Sequence, residues 1–364
     1  MKFNFEGKSV IIIGASGGLG SSFAKAFAGE GARVLLAGRN ETRLKLLASR
    51  IGGETAIGVV DITSGQSVTE LAELAKAWCG EIDILVNASG YDARKSLLKH
   101  SLEEIRESLD TNLLGAVLLT QAFLPLMKQR EGSIIIHIGG FADERLAFPY
   151  YSVDVASRAG VFSFVEAMNR ELELEGSKVK VGYFCPSPAE TDAERPFHPL
   201  WKRMNIQILP VEKVAEGLLK MIAKRRTVSI MGGMVTVLFA KLNSIKPKLA
   251  DRLMMKSYGK LLKEFLSGTE GMPAAETKDR RKGLLNELAA VLIILSFLLY
   301  GLGFLIPFLP LSLSRKAVMI PVSIALGEAV WWIGMAILGK QVITKYRKCL
   351  NPCGWFRCRK TTRD

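Results

Sequence analysis

Five cysteines and three histidines in 364 residues are too few to organise the chain around disulfides or a metal cluster. Cys79 and Cys185 stand far apart and are expected to be reduced core residues. Cys349, Cys353 and Cys358 have no histidine beside them, so no metal site is expected there. The N-terminus, Met1-Lys-Phe-Asn-Phe-Glu-Gly-Lys8, lacks the apolar core of a secretory signal, which predicts a first domain that stays in the cytoplasm. Acidic residues run short, 35 against 49 Lys and Arg, for a net charge of +14. Such a surplus suits an acidic partner. An apolar content of 49% and a mean hydropathy of +0.21 favour an anionic membrane over nucleic acid as that partner.

What is present begins with Val10-Ile-Ile-Ile13, an apolar β-branched run that reads as a strand buried on both faces. Gly14-Ala-Ser16-Gly-Gly18-Leu19-Gly20 follows, and Ser21–Ala28 then has helical spacing. Strand, glycine turn and helix together present free backbone N–H groups and a positive helix end to a pyrophosphate. The turn needs glycine because a Cβ would strain it and hold the phosphates off. Further apolar runs at Val34–Gly38, Ala56–Val60, Ile82–Asn87, Ser133–Ile138 and Lys180–Cys185 alternate with helical patterns. The alternation predicts an α/β fold, a Rossmann-type doubly wound parallel sheet, over residues 1–230.

The spacing Gly14-x-x-x-Gly18-x-Gly20 resembles the cofactor loop of the short-chain dehydrogenase/reductase family, and other positions match in order. The resemblance implies that Asp61 contacts adenine and that Asn87-Ala88-Ser89-Gly90 is the strand end beside the cofactor. It also implies that Asn112 is the catalytic asparagine, and that Pro186 and Thr191 close the nicotinamide side. A dimer or tetramer is the family's usual assembly. The second strand ends Gly38-Arg39-Asn40 with no carboxylate at its tip. An Arg there pairs with a 2′-phosphate where an Asp would bind a 2′-OH, so NADP(H) is expected over NAD(H).

The family's reaction residues are a strand serine and a Tyr-x-x-x-Lys helix, and all three positions depart from it. Gly140 falls at the serine, Asp154 at the tyrosine and Arg158 at the lysine. The family's phenol, of ordinary pKa about 10, passes a proton to or from the substrate oxygen. A carboxylate beside a guanidinium accepts hydrogen bonds, and a guanidinium does not titrate in the working range. Asp154 and Arg158, spaced i, i+4, are expected to pair with each other, with Arg158 still able to hold the nicotinamide ribose. Tyr150, one turn before Asp154 if the helix starts that early, and Tyr151 are the possible substitutes; packing beside Phe148 and Pro149 is the competing role. His137 lies on a strand, facing the site or the core.

Residues 231–283 form a basic, apolar-rich extension and linker, suited either to an anionic bilayer surface or to packing on the domain. Leu288–Leu311 and Ala317–Leu338 are each long enough to cross about 30 Å of hydrocarbon, predicting a two-helix transmembrane hairpin within 284–340. Basic residues at Lys278–Lys282 and in the tail, 341–364, outnumber Arg315 and Lys316 of the turn, which puts both ends in the cytoplasm. The segment from Gly327 to Lys340 resembles the hydrophobic transporter suffix segments of some bacterial proteins. Glu328 inside a span must be satisfied or functional. Two functions follow: a membrane-anchored NAD(P)-dependent oxidoreductase of an apolar or lipid-like carbonyl or alcohol, or an NADP(H)-binding sensor or scaffold that has lost hydride chemistry.

Overall fold

A computed structural model describes residues 4–127, 131–140, 147–232, 234–266, 292, 295–308 and 312–346. The chain divides into two compact units, Met1–Gly271 and Met272–Asp364.

Seven strands build the first unit: β1 (Ser9–Ile13), β2 (Arg33–Gly38), β3 (Thr55–Val59), β4 (Ile84–Asn87), β5 (Ile134–Ile138), β6 (Lys180–Cys185) and β7 (Val228–Ile230). All pair in parallel, in the order β3-β2-β1-β4-β5-β6-β7. Alternate side chains sort into two apolar layers. Val10, Ile12, Val34 and Leu36 enter one layer, and Ile11, Ile13, Leu35 and Ala37 the other. Neither face of the sheet is wet, so the strands read as continuous apolar runs. Burying one such side chain contributes roughly 1.5–3 kcal/mol. The short β7 escaped the sequence reading.

Chain order reverses between β1 and β4, and the crevice at their C-terminal ends is where ligands bind in such sheets. The flanking helices are α1 (Gly18–Gly29), α2 (Glu41–Ile51), α3 (Gly65–Cys79), α4 (Leu102–Leu109), α5 (Gly115–Met127) and α6 (Ser152–Leu174). Two starts position the site. Asn40 caps α2 by accepting from the Arg43 N–H at 3.0 Å, which fixes Arg39 at the tip of β2. Ser101 and Glu104 form a capping box that starts α4, which runs through a π-turn, Asp110–Leu114, into α5. The run Leu102–Met127 is long and apolar enough to cross a membrane, but Leu119, Phe123 and Met127 are fully buried against the sheet.

Leu200 and Trp201 of α7 (His198–Arg203) join neither sheet layer, and α8 (Val211–Ala223) completes the sheet's cover. Three more helices, α9 (Met234–Ile245), α10 (Pro247–Met254) and α11 (Lys260–Leu266), belong to the first unit. Ala240, Met254, Leu261 and Leu262 pack with Phe148, Tyr151, Leu200 and Trp201 in a third apolar cluster. The extension therefore packs on the domain; the linker beyond 266 lies outside the described residues.

In the second unit, α12 (Leu295–Leu305) and α13 (Leu313–Tyr346) pack on each other. Phe297 meets Trp331 edge to face at 5.7 Å. Glu328 accepts hydrogen bonds from the Tyr300 hydroxyl at 2.6 Å and the Trp332 Nε1–H at 3.2 Å, so its carboxylate is satisfied within the pair. Parts of the first expected span, and all three tail cysteines, lie outside the described residues.

Candidate active site

The cofactor side is set by local geometry. Gly14 ends β1 with φ +73°, and a Cβ there would lie 2.8 Å from the Ser89 nitrogen and 2.9 Å from the Ala88 carbonyl. Glycine is required by conformation and by space alike. Gly17 donates its N–H to Gly14 O at 3.0 Å, closing the turn. A Cβ on Gly18 would stand 2.6 Å from Thr191 Cγ2, so Thr191 lies directly over the loop. Gly20 is buried beneath it, Leu19 packs into the layer below, and Ser16 sits close to Gly38 at the end of β2. No acidic residue occupies the first turn of α1, which leaves its positive end to an anion. Ala88 is pinned to β1 by its N–H to Ile13 O at 3.0 Å. Pro186 follows β6, on the same edge of the sheet.

Arg39 is exposed at the tip of β2, and Asp61 follows β3 beside it. Hydrogen bonds from the Thr63 N–H at 3.0 Å and its hydroxyl at 2.8 Å hold the Asp61 carboxyl below the usual range; attraction to Arg39 is a lesser cause. The glycine turn, the free helix end and this polar tip fit a nicotinamide dinucleotide.

Asn87 and His137 lie side by side at the end of the sheet. The Asn87 side chain accepts from the Ser89 N–H and hydroxyl. Its Nδ2–H lies 3.3 Å from His137 Nδ1, and Thr120 Oγ1 lies 2.9 Å from Nε2. Thr120 spends its one hydroxyl proton on Ala116 O, so Nε2–H donates to Thr120 and Nδ1 accepts from Asn87. Burial pushes the imidazole pKa down to about 4. His137 is a neutral strut facing the core.

On the reaction side, Asn112 sits in the π-turn and clamps the backbone of Tyr91. Its Oδ1 accepts the Tyr91 N–H and its Nδ2–H donates to Tyr91 O, both at 2.9 Å. Its remaining proton is shared with Ser157 Oγ at 3.0 Å and Asp154 Oδ1 at 3.4 Å. Arg158 Nε donates to Asp154 Oδ1 at 2.7 Å, the expected i, i+4 pair, and Nη1 donates to Ile138 O at 3.3 Å. A Cβ on Gly90 would come within 3.0 Å of Arg158 Nη2, so glycine here makes room for the guanidinium. Gly140 brings no side chain to the serine position.

The tyrosines separate. Tyr150 would share a helix face with Asp154 only if the helix started that early, but α6 begins at Ser152 and Tyr150 precedes it with φ +69°. That backbone excludes it from the helix. Tyr151 is the residue just before the helix, 8% exposed, its ring 6.0 Å from Phe148 and 6.5 Å from Trp201. Its hydroxyl is buried with no hydrogen-bond partner among the described residues, and burial pushes its pKa well above the ordinary value.

One cluster went unread in the sequence. Arg94 donates to both oxygens of Glu194 at 2.9 and 2.8 Å and to Asp92 Oδ2. Its guanidinium lies 4.0 Å over the Phe197 ring and 5.2 Å over Tyr151. Trp201 Nε1–H donates to Glu194 as well. Burial works against the charge of Arg94, and its hydrogen bonds to Glu194 more than offset that, raising its pKa. Burial likewise raises Asp92, against the pull of Arg94. The cluster ties the loop after β4 to the segment covering the site; its one sequence signal is the pair of charged triplets Asp92-Ala-Arg94 and Asp192-Ala-Glu194.

Comparisons with known proteins bear on the family and the fold. A ketoacyl reductase of Nostoc, HetN, is 33% identical over 183 residues, covering 50% of this chain and 63% of its own length, which is under two thirds. An uncharacterized oxidoreductase of Staphylococcus saprophyticus is 34% identical over 193 residues, 51% of this chain and 80% of that one. The zebrafish (Danio rerio) dehydrogenase/reductase SDR family member 7B is 28% identical across 69% of this chain and 85% of its own. Among solved structures, a short-chain dehydrogenase/reductase from Burkholderia phymatum in complex with NAD shares the fold. Its TM-score is 0.61 at 23% identity, over 68% of this chain and 96% of that one. The short chain dehydrogenase family model matches residues 8–199, the span that holds the glycine turn, Asn112 and the Asp154–Arg158 pair, so this chain belongs to the short-chain dehydrogenase/reductase family of oxidoreductases.

Proposed function

We propose that the chain is a membrane-anchored oxidoreductase that prefers NADP(H) and acts on an apolar, lipid-like carbonyl or alcohol, with Tyr151 in place of the family's tyrosine–lysine relay. One observation carries the catalytic reading: the Tyr151 hydroxyl is a buried proton donor without a partner among the described residues, on the reaction side of the site. The cofactor supplies or accepts the hydride. The Gly14–Gly20 turn would hold its phosphates, Arg39 its 2′-phosphate, Asp61 its adenine, and Arg158 and Thr191 its nicotinamide end. Tyr151, whose raised pKa keeps its proton in place, donates a hydrogen bond to the substrate oxygen. Phe148 and Trp201 give that oxygen an apolar surround, which supports an apolar substrate.

The anchor in this reading is the α12–α13 pair. Leu298, Phe304, Val322 and Trp332 are exposed on it, as suits lipid-facing positions. The basic flanks support cytoplasmic ends and a cytoplasmic Rossmann domain.

A second reading has a specific observation in its favour. Asp154 and Arg158 satisfy each other at 2.7 Å, and Gly140 supplies no hydroxyl, as befits a protein that binds NADP(H) without turnover. NADPH oxidation by the full-length protein in detergent, screened against long-chain aldehydes and ketones, separates the two. The oxidoreductase reading predicts turnover that Tyr151→Phe reduces roughly 100-fold, as for loss of a general acid, with NADPH affinity unchanged. Undiminished turnover in Tyr151→Phe removes the phenol's role. Tight NADPH binding without turnover across the panel makes the sensor the conclusion.

A further inference from the structure

The inner faces of α9–α11 are accounted for by the third apolar cluster, but the outer face of α9 and α10 is not. Ile245 is 76% exposed and Leu249 42%, with Leu238 on α9 and Met255 just after α10 also exposed. Between them project the exposed cations Lys241, Lys246, Lys248 and Arg252. Asp251 is the single acid of α9 and α10. A shallow groove of about 430 Å³ opens here, lined by Lys246, Pro247, Lys248, Leu249 and Arg252, so cations and apolar surface share one depression.

The mixture specifies the occupant. A polynucleotide site pairs its cations with exposed aromatic rings for stacking. The aromatics here, Phe239 and Tyr258, pack inward on the third cluster instead. Large aliphatic side chains interleaved with lysine at a helix corner match a bilayer, whose phosphates take the cations while its acyl boundary takes the apolar groups.

We propose that the outer face of α9 and α10 docks on an anionic phospholipid surface. Lys246, Lys248 and Arg252 hold headgroup phosphates, and Ile245 and Leu249 enter the acyl boundary. This surface is separate from the α12–α13 pair and stands without it. In addition, resting on the function proposed above, the helices that close over Tyr151 and Trp201 are themselves the membrane-contacting ones, so a lipid-like substrate reaches the site directly from the bilayer.

A photo-crosslinking residue placed singly at Ile245, Leu249, Leu298 or Leu174 in the full chain tests this. Leu174, 89% exposed at the end of α6, is the control for random collision. The chain is mixed with vesicles of phosphatidylcholine alone or with added phosphatidylglycerol, and adducts are read by mass. The proposal predicts lipid adducts at 245 and 249 above the level at 174 in anionic vesicles. Replacing Lys246, Lys248 and Arg252 together by Gln lowers them roughly ten-fold or more, since each cation near an anionic surface adds to binding. Yields at 245 and 249 no higher than at 174 overturn it, as do adducts with nucleic acid or protein in place of lipid. Adducts at 298 but not at 245 refute the docking face and keep the anchor. The reverse pattern keeps the docking face and refutes the anchor.

Discussion

The two halves of the site obey different physical constraints. On the cofactor side, the requirements are of backbone and space: a positive φ at Gly14, room beneath Thr191 at Gly18, a free helix end, and a charge at the tip of β2. On the reaction side, where the resemblance implies a serine, a tyrosine and a lysine, this chain has Gly140, Asp154 and Arg158, held by the Asp154–Arg158 pair and by Asn112 fastening Tyr91. Holding a dinucleotide and moving a proton are separable tasks. One region keeps the glycine turn and a free helix end, while the other holds a salt bridge between Asp154 and Arg158.

The largest break in that comparison is expected at the Arg94 cluster. Arg94→Met leaves Glu194 and Asp92 as part-buried carboxylates without their cation and should cost about 3 kcal/mol in chemical denaturation. Combining it with Glu194→Leu should recover part of the loss; a single-variant cost under about 1 kcal/mol would mean that the pair is solvated. Next comes His137. Its folded-state pKa of about 4 lies below the unfolded value of about 6.5, so the unfolded chain takes up the proton first as pH falls. Its contribution is complete above about pH 6.5 and is lost toward about pH 4, at a cost of roughly 3 kcal/mol. His137→Gln should flatten the Tm profile across that window, and an unchanged slope would count against a neutral buried strut.

Smaller effects sharpen the cofactor side. Gly14→Ala forces a Cβ into the left-handed region and against Ala88 and Ser89, with an expected cost of about 1–3 kcal/mol and a matching loss of NADPH affinity by calorimetry. Arg39→Ala should weaken NADPH about ten-fold, near 1.4 kcal/mol, and leave NADH unchanged.

How much of this was legible in the sequence follows from sequence distance. The glycine turn and the Asp154–Arg158 pair are set within a few residues, and they stand where the spacing put them. Arg94 and Glu194 meet across 100 positions, so neither charge declares its partner. The condition on Tyr150 fails because its positive φ, a property of the loop before α6, delays the helix start to Ser152. His137 was ambiguous because strand alternation gives two faces without saying which holds Thr120 and Asn87. The basic extension read equally as bilayer-facing or domain-facing; its inner face packs on Tyr151 and Trp201 while its cations stay outside.

The central claim is that the cofactor side works as an NADP(H) site although the reaction side has been rewritten. Fluorescence titration of the full-length protein in detergent with NADPH and with NADH, for the natural sequence and for Arg39→Ala, tests it most directly. The account predicts tight NADPH binding, weak NADH binding, and a loss of about ten-fold confined to NADPH in the variant. Equal affinity for both cofactors, or binding of neither, would contradict it.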